Sequence, residues 1–361
     1  MRDNEPTTGM LNMIAQPAFT VCDGKLQLLN EAAQKRFLEP GTPILDLLST
    51  GQEEYRALTD GCLYLTLTIE SIPCSACVRR MDGFDLFALE QEADLSELQA
   101  MALAAQELRA PLSSVMTVAD QLFPVSDDGS DPARTTQVSR INRGLFQMLR
   151  IISNMSDAYR YSQQTLSHFT VQNIRDTVQE IFDKSAAFLE HGNIQLCFTN
   201  LDRPVFTLAD TEKLERAIHN ILSNAVKFSG SGSCIDAKFT RRGNMLYLTV
   251  QDSGCGIDNA VRSSIHTRYL RQPGLEDQRF GLGLGMVFIR SAAAAHGGTV
   301  LVDQPDGCGT RITMTLAIDQ NVDPTLRTSA FHVDYAGERD HLLMELSDVL
   351  PLSLYEPDQI N

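Results

Sequence analysis

Residues 98 to 159 constrain this chain more than any other stretch. Leu98, Met101, Ala105, Leu108, Leu112, Val115, Ala119 and Leu122 recur at alternating spacings of three and four, the heptad period of a helix that must bury one seam against other helices. Ser96 and Gln99 read as a capping box at its start. A polar stretch from Pro124 to Pro132, rich in Asp, Ser and Gly, interrupts the pattern. A second seam follows at Val138, Ile141, Leu145, Met148, Ile152, Met155 and Tyr159. Two matched helices joined by a short polar turn predict an antiparallel hairpin, and two such hairpins bury both seams as a four-helix bundle. A homodimer is the expected state; the alternative is a hairpin that packs on flanking parts of its own chain.

A chain of 361 residues has room for two or three domains, so the hairpin has company on both sides. From about residue 10 to 90, short apolar runs at Ala18–Cys22, Lys25–Leu29, Cys62–Ile69 and Phe84–Leu89 are punctuated by Asp23-Gly24 and Asp82-Gly83. Helical stretches are expected near Asn30–Phe37 and Pro43–Leu48. This order resembles a PAS-type sensor module by pattern alone; a plain dimerisation module fits it equally. Beyond the hairpin, a helix is expected at about Val171–Glu190. Strands and helices then alternate to about residue 318. The strands are Ile194–Thr199, Val205–Ala209, Cys234–Thr240, Leu246–Gln251, Thr299–Asp303 and Thr310–Ile318; the helices lie near Glu212–Phe228 and Leu284–Ala295. The fold class expected is multidomain α+β, with an α/β sandwich in its C-terminal half.

Charge narrows the partners. Thirty Lys and Arg against 46 Asp and Glu give a net −16, a field that repels phosphate backbones unless a local basic patch overrides it, so no nucleic-acid partner is expected. No apolar run reaches the roughly 20 residues that cross a bilayer, and Met1–Gln16 lacks a basic start followed by an apolar core. No membrane span and a cytoplasmic location are expected. Cys74 and Cys77 alone among the eight cysteines have ligand-like spacing, but with no second pair nearby they read as two residues of a strand. The last 43 residues carry nine acids against Arg327 and Arg339. Leu342, Leu343, Leu346, Val349 and Leu350 nevertheless recur at helical spacing, so part of this acidic extension is expected to dock.

Three short motifs carry chemistry. Asn220-Ile-Leu-Ser-Asn224-Ala-Val-Lys227 places two amides and an ammonium on one helical face, a set that suits a hydrated Mg²⁺ and phosphate oxygens. Asp252-Ser-Gly254-Cys-Gly256 follows an apolar strand. There a carboxylate can accept from an exocyclic amine while glycines let the chain pass close to a flat ring. Gly281-Leu-Gly283-Leu-Gly285 precedes a helix-forming run, and such a junction offers backbone N–H groups to a phosphate chain.

Together, in this order and spacing, the motifs resemble the ATP-binding domain of sensor histidine kinases, a branch of the Bergerat-type ATPases. The likeness spans roughly residues 92 to 318, because the hairpin also matches the family's dimerisation and phosphotransfer bundle. The resemblance divides the chain into a PAS-like module at 1–91, a hairpin at 92–165, an ATP-binding domain at 166–318 and an acidic extension at 319–361. It implies ATP and Mg²⁺ as cofactors. Asp252 then recognises adenine, Gly254 and Gly256 shape its pocket, and Asn220 coordinates Mg²⁺. Asn224 and Lys227 contact phosphates, while Gly281, Gly283 and Gly285 cradle them. The segment from Asp258 to Phe280, with Arg262, Arg268, Arg271 and Arg279, matches the family's lid. The partner implied is a response-regulator receiver domain, bound beside the bundle near Gln106.

One position breaks the pattern. Where the family carries its phosphoacceptor histidine, this chain reads Gln106-Glu107-Leu108-Arg109-Ala110-Pro111-Leu112. Gln106 follows the seam residue Ala105 and is expected to face outward. A carboxamide has no basic nitrogen to attack a γ-phosphate. Glu107, which in the family assists proton transfer, has nothing to activate. Two functions fit: a kinase-like phosphotransferase with another acceptor, or a pseudokinase that signals through ATP occupancy. A third, a Bergerat-type ATP hydrolase, is disfavoured because Asn220 stands where hydrolases carry an acid.

Overall fold

The computed structural model describes residues 8–14, 16–36, 38–89, 93–122, 132–162, 168–230, 232–254, 256, 284–305, 309–319 and 340–360. Short helices α1 (Thr8–Leu11), α2 (Glu31–Gln34), α3 (Ile44–Leu47) and α4 (Gln52–Ala57) accompany strands β1 (Ala18–Cys22), β2 (Lys25–Leu29), β3 (Cys62–Ile69), β4 (Ile72–Met81) and β5 (Phe84–Leu89). The long helices α5 (Ala93–Leu122) and α6 (Pro132–Ser162) come next. The C-terminal half contains β6 (Thr170–Asn173), α7 (Ile174–Glu190), β7 (Gln195–Thr199), β8 (Phe206–Ala209), α8 (Thr211–Ser229), β9 (Cys234–Arg242) and β10 (Met245–Gln251). After these lie α9 (Gly285–Ala295), β11 (Val300–Asp303), β12 (Arg311–Ala317), α10 (His341–Glu345), a 3₁₀ turn at Leu352–Tyr355 and α11 (Pro357–Ile360).

Strands from both halves join one ten-stranded sheet, ordered β2-β1-β5-β4-β3-β11-β12-β10-β9-β7. The joint is antiparallel: Val300 faces Tyr64, Leu301 faces Leu63 and Val302 faces Cys62. Gly61 makes this approach possible, because with φ at +93° a side chain there would be strained and would run into the carbonyl of Val302. The Tyr247 hydroxyl donates to Glu54 at 2.9 Å and reinforces the seam. Among the described residues only β7 and β9 are parallel neighbours, while β6 pairs with β8 in a separate two-stranded sheet. Cys74 and Cys77 both lie on β4, three residues apart and therefore on opposite faces, so they cannot share one metal ion.

The two heptad seams are used by halves. On α5, Leu98, Ala105, Leu112 and Ala119 are buried, whereas Leu108, Val115 and Leu122 are 49%, 53% and 61% exposed. On α6, Val138, Leu145 and Ile152 are buried while Ile141 and Met148 are exposed. One position of each heptad faces the neighbouring helix and the other faces out. The hairpin also docks on its own chain, since Leu98 clusters with Ala158 and Tyr161 of α6 and with Leu284, Val287 and Phe288 around the start of α9. That contact runs the two helices antiparallel. The expected capping box is not used: α5 starts at Ala93, so Ser96 lies inside the helix. Pro132 opens α6, where its missing N–H costs nothing.

Candidate functional site

The local chemistry of α8 explains where the site sits. Asp210 caps the helix by accepting from the Lys213 amide at 3.1 Å, and Gly230 ends it with φ at +79°. Leu214, Ala217, Ile218, Ile221, Leu222 and Ala225 are buried in the central core. This burial places the polar positions 216, 220, 224 and 227 along the helix flank.

Two of the motifs meet on that flank. Asn220 is buried and its amide donates to the Arg216 carbonyl at 2.9 Å, which leaves Oδ1 turned toward Gly285. A Cβ on Gly285 would stand 2.9 Å from that oxygen, so a side chain there would push the Asn220 carboxamide out of its present orientation. The remaining motif reaches the C-terminal end of α8. A Cβ on Gly254 would collide with the Phe228 carbonyl, and Asp252 sits buried just before it. Asp252 Oδ1 accepts from the amides of Gly254 at 2.9 Å and Thr310 at 3.1 Å, which fixes the carboxylate. Burial pushes its pKa up, and the same two amides partly offset the rise. Gly256 adopts φ of +72° beside Gln304. Asn224 is half-buried on the same flank.

Lys227 is engaged elsewhere. Its ammonium lies 2.9 Å from Asp348 of the C-terminal segment. Burial and the Arg150 guanidinium lower the lysine pKa, against the pull of Asp348. Gln106 and Glu107 are exposed on α5, and Gln106 stands about 12 Å along the helix from Leu98, which touches α9. Gly281, Gly283, Arg262, Arg268, Arg271 and Arg279 lie outside the described residues.

Several participants carried no sequence signal strong enough to single them out. Thr310 and Gly309 close the turn around Asp252; a Cβ on Gly309 would collide with the Asp252 carbonyl, and the run Gly307-Cys-Gly309-Thr310 before a strand was the available cue. Arg216 is fully buried, with its guanidinium against Asp157 and Asn154 of α6 and 4.1 Å above the Phe288 ring. It fastens the hairpin to both helices of the site. His296, by contrast, is structural: Nε2 accepts from the Asp210 amide at 3.0 Å and Nδ1 lies 2.7 Å from the Ala292 carbonyl.

The family model of the histidine kinase-, DNA gyrase B- and HSP90-like ATPases matches residues 209–320, the stretch that contains these motifs. Hybrid signal transduction histidine kinase D of Dictyostelium discoideum is 26% identical over 67% of this chain and 16% of its own length. Sensor histidine kinase RppB of Synechocystis is 24% identical over 61% of this chain and 49% of its own. The chain thus spans at most about half the length of these curated relatives. Among solved structures, full-length ShkA in complex with AMPPNP aligns over 63% of this chain and 47% of its own with a TM-score of 0.50 and 19% identity, a likeness of fold. Among the described residues no helix is long and apolar enough to cross a membrane.

Proposed function

We propose that this chain, which belongs to the sensor histidine kinase family, binds Mg-ATP on the flank of α8 and acts in two-component signalling as a nucleotide-occupancy module. The observation that carries this reading is the convergence of three motifs distant in sequence upon one helix, Gly285 against Asn220 and Gly254 against Phe228. In this reading Asp252, held by two amides, takes the adenine amine. Asn220 offers its oxygen to Mg²⁺, which favours hard oxygen ligands. Asn224, Lys227 and the backbone of Gly281, Gly283 and Gly285 take the phosphates, and Gly256 leaves room beside the ring. The metal supplies charge neutralisation on the phosphates.

Occupancy rather than phosphorylation at position 106 is the favoured output. Gln106 is exposed where a phosphoacceptor belongs, and its carboxamide cannot attack phosphorus. A route for occupancy to reach the hairpin exists in Arg216, which contacts α6 and α9 together. The parts are read as a PAS-like module at 1–91, a hairpin at 92–165, an ATP-binding domain at 166–318 and an extension at 319–361. Leu108, Val115, Ile141 and Met148 form the face that a second copy covers in a homodimer. A response-regulator receiver domain is the partner that family membership suggests.

Titration calorimetry with Mg-ATP tests the binding step: heat is expected from the native chain, and its loss in Asp252→Asn supports the adenine assignment. No heat from the native chain rejects the reading. Incubation with γ-labelled ATP is expected to leave the protein unlabelled; acid-labile label would instead establish a kinase with an acceptor other than Gln106. Gln106→His is expected to gain label if the nucleotide machinery is competent.

A further inference from the structure

We propose that the C-terminal segment 340–360 is an autoinhibitory strap whose Asp348 carboxylate occupies Lys227 in place of a nucleotide phosphate, so that strap and Mg-ATP compete. The proposal rests on the nucleotide reading of α8 and adds a regulator to it.

The segment is built to dock. Asp340 caps α10 by accepting from the amides of Leu342 at 2.8 Å and Leu343 at 3.0 Å. Leu342, Leu343, Leu346, Leu350, Leu354 and Tyr355 are all buried, with the Tyr355 ring edge-on to Phe146 of α6 at 5.5 Å. Apolar burial of this extent holds a segment in place without fixing its register. The register comes from α6. Asn142 donates to the Tyr355 carbonyl at 3.0 Å, and Arg143 donates to the carbonyls of Ser347 and Asp348 at 2.9 and 2.8 Å. Arg150 donates to the Glu345 carbonyl at 3.0 Å.

These bonds deliver one carboxylate to one place. Asp348 receives Lys227 from α8 and Arg150 from α6, and Glu345, itself buried, lies 3.6 Å from Arg216. Acidic groups thus meet cations from both helices along the flank that carries Asn220 and Asn224. A carboxylate resembles a phosphate in charge sign and in presenting oxygen acceptors. Lys227 has one compact ammonium, and while Asp348 holds it in this half-buried setting it is not available to a phosphate. Breaking such a pair without replacement leaves a poorly solvated charge. A phosphate supplies that replacement, so exchange costs less than release. Linkage makes the effect mutual: whatever the strap subtracts from nucleotide affinity, the nucleotide subtracts from strap docking.

The test uses the full chain and Mg-ATP titrated by calorimetry into the native protein, Asp348→Asn, Arg143→Ala and Asp252→Asn. Asp348→Asn removes the competing charge. Arg143→Ala loosens the strap through bonds to its carbonyls and leaves Lys227 and Asp348 in place. Both are expected to tighten Mg-ATP about tenfold, the usual size of such coupling. Amide hydrogen exchange within 341–355 of the native chain is expected to speed up when Mg-ATP is added. Native and strap variants binding with equal affinity, while Asp252→Asn fails to bind, would overturn the strap and leave the nucleotide reading standing. Tightening in Asp348→Asn alone, with Arg143→Ala and the exchange rates unmoved, would also overturn it, since only a local charge effect would remain. Absence of heat from every variant would remove the nucleotide reading first and the competition with it.

Discussion

Asn220 Oδ1 stands 2.9 Å from the point where a Cβ on Gly285 would lie, so residues 65 positions apart in the chain share one contact between α8 and α9. Gly285→Ala must therefore turn the Asn220 amide, whose other end is tied to the Arg216 carbonyl. Alanine is also the better helix former by roughly 0.5–1 kcal/mol. The expected outcome separates binding from stability: Mg-ATP affinity falls about tenfold, the loss of one oriented charge-assisted contact of about 1.4 kcal/mol, while the urea midpoint barely moves. Calorimetry beside a denaturation curve checks both.

The joint between β3 and β11 gives a second prediction. Gly61 has φ of +93°, and any side chain there would meet the Val302 carbonyl. Gly61→Ala is expected to cost about 1–3 kcal/mol in backbone strain alone and to weaken the pairing that makes one sheet of two halves. Scanning calorimetry is expected to give one transition for the native protein and two for the variant. A single unchanged transition would mean the joint contributes little.

The outward half of each seam predicts association. Leu108, Val115 and Leu122 recur every seven residues on α5, and all are exposed, an apolar stripe that water does not favour. Leu108→Asp with Val115→Asp is expected to convert a dimer into a monomer in sedimentation equilibrium without loss of helical circular dichroism. A native chain that sediments as a monomer at high concentration would refute the second copy.

What the sequence disclosed follows from how local each signal is. The strands Ala18–Cys22, Lys25–Leu29, Cys62–Ile69 and Phe84–Leu89 form at the predicted residues, because alternation between Gly turns is a property of neighbours in the chain. β4 was visible only in part: Cys74 and Cys77 read as strand residues, but Ile72-Pro73-Cys74-Ser75 starts it with exposed and half-buried residues and no alternation, so its bounds were not legible. The joint between β3 and β11 had no sequence signal, since pairing of strands more than two hundred residues apart leaves no local mark. The motifs of the candidate site were legible from spacing. Arg216 was not, because a charged residue in a helix reads as solvated until Asp157 and Phe288 are seen around it. Docking of the acidic extension was legible from its leucines, but the use of Asp348 against Lys227 was not.

His219, beside Asn220 on α8, provides a prediction that turns on pH. It is buried, Nδ1 has no hydrogen-bond partner among the described residues, and burial lowers its pKa from 6.5 to about 3, helped by the nearby charges of His341 and Lys184. The folded protein therefore keeps this imidazole neutral while the unfolded chain takes up a proton as pH falls through 6.5. Stability from this group is complete above that value and is lost on acidification toward about 3, at a limiting slope of about 1.4 kcal/mol per pH unit. His219→Leu removes the titration without emptying the space. Urea unfolding between pH 7 and pH 4 is expected to show the native protein losing stability faster than the variant, with the gap opening only below about 6.5. Groups such as His296, which burial also holds low, contribute alike to both proteins and cancel in the difference. Parallel pH curves for the two proteins would show that His219 gains a proton without unfolding, through access that its buried position does not provide.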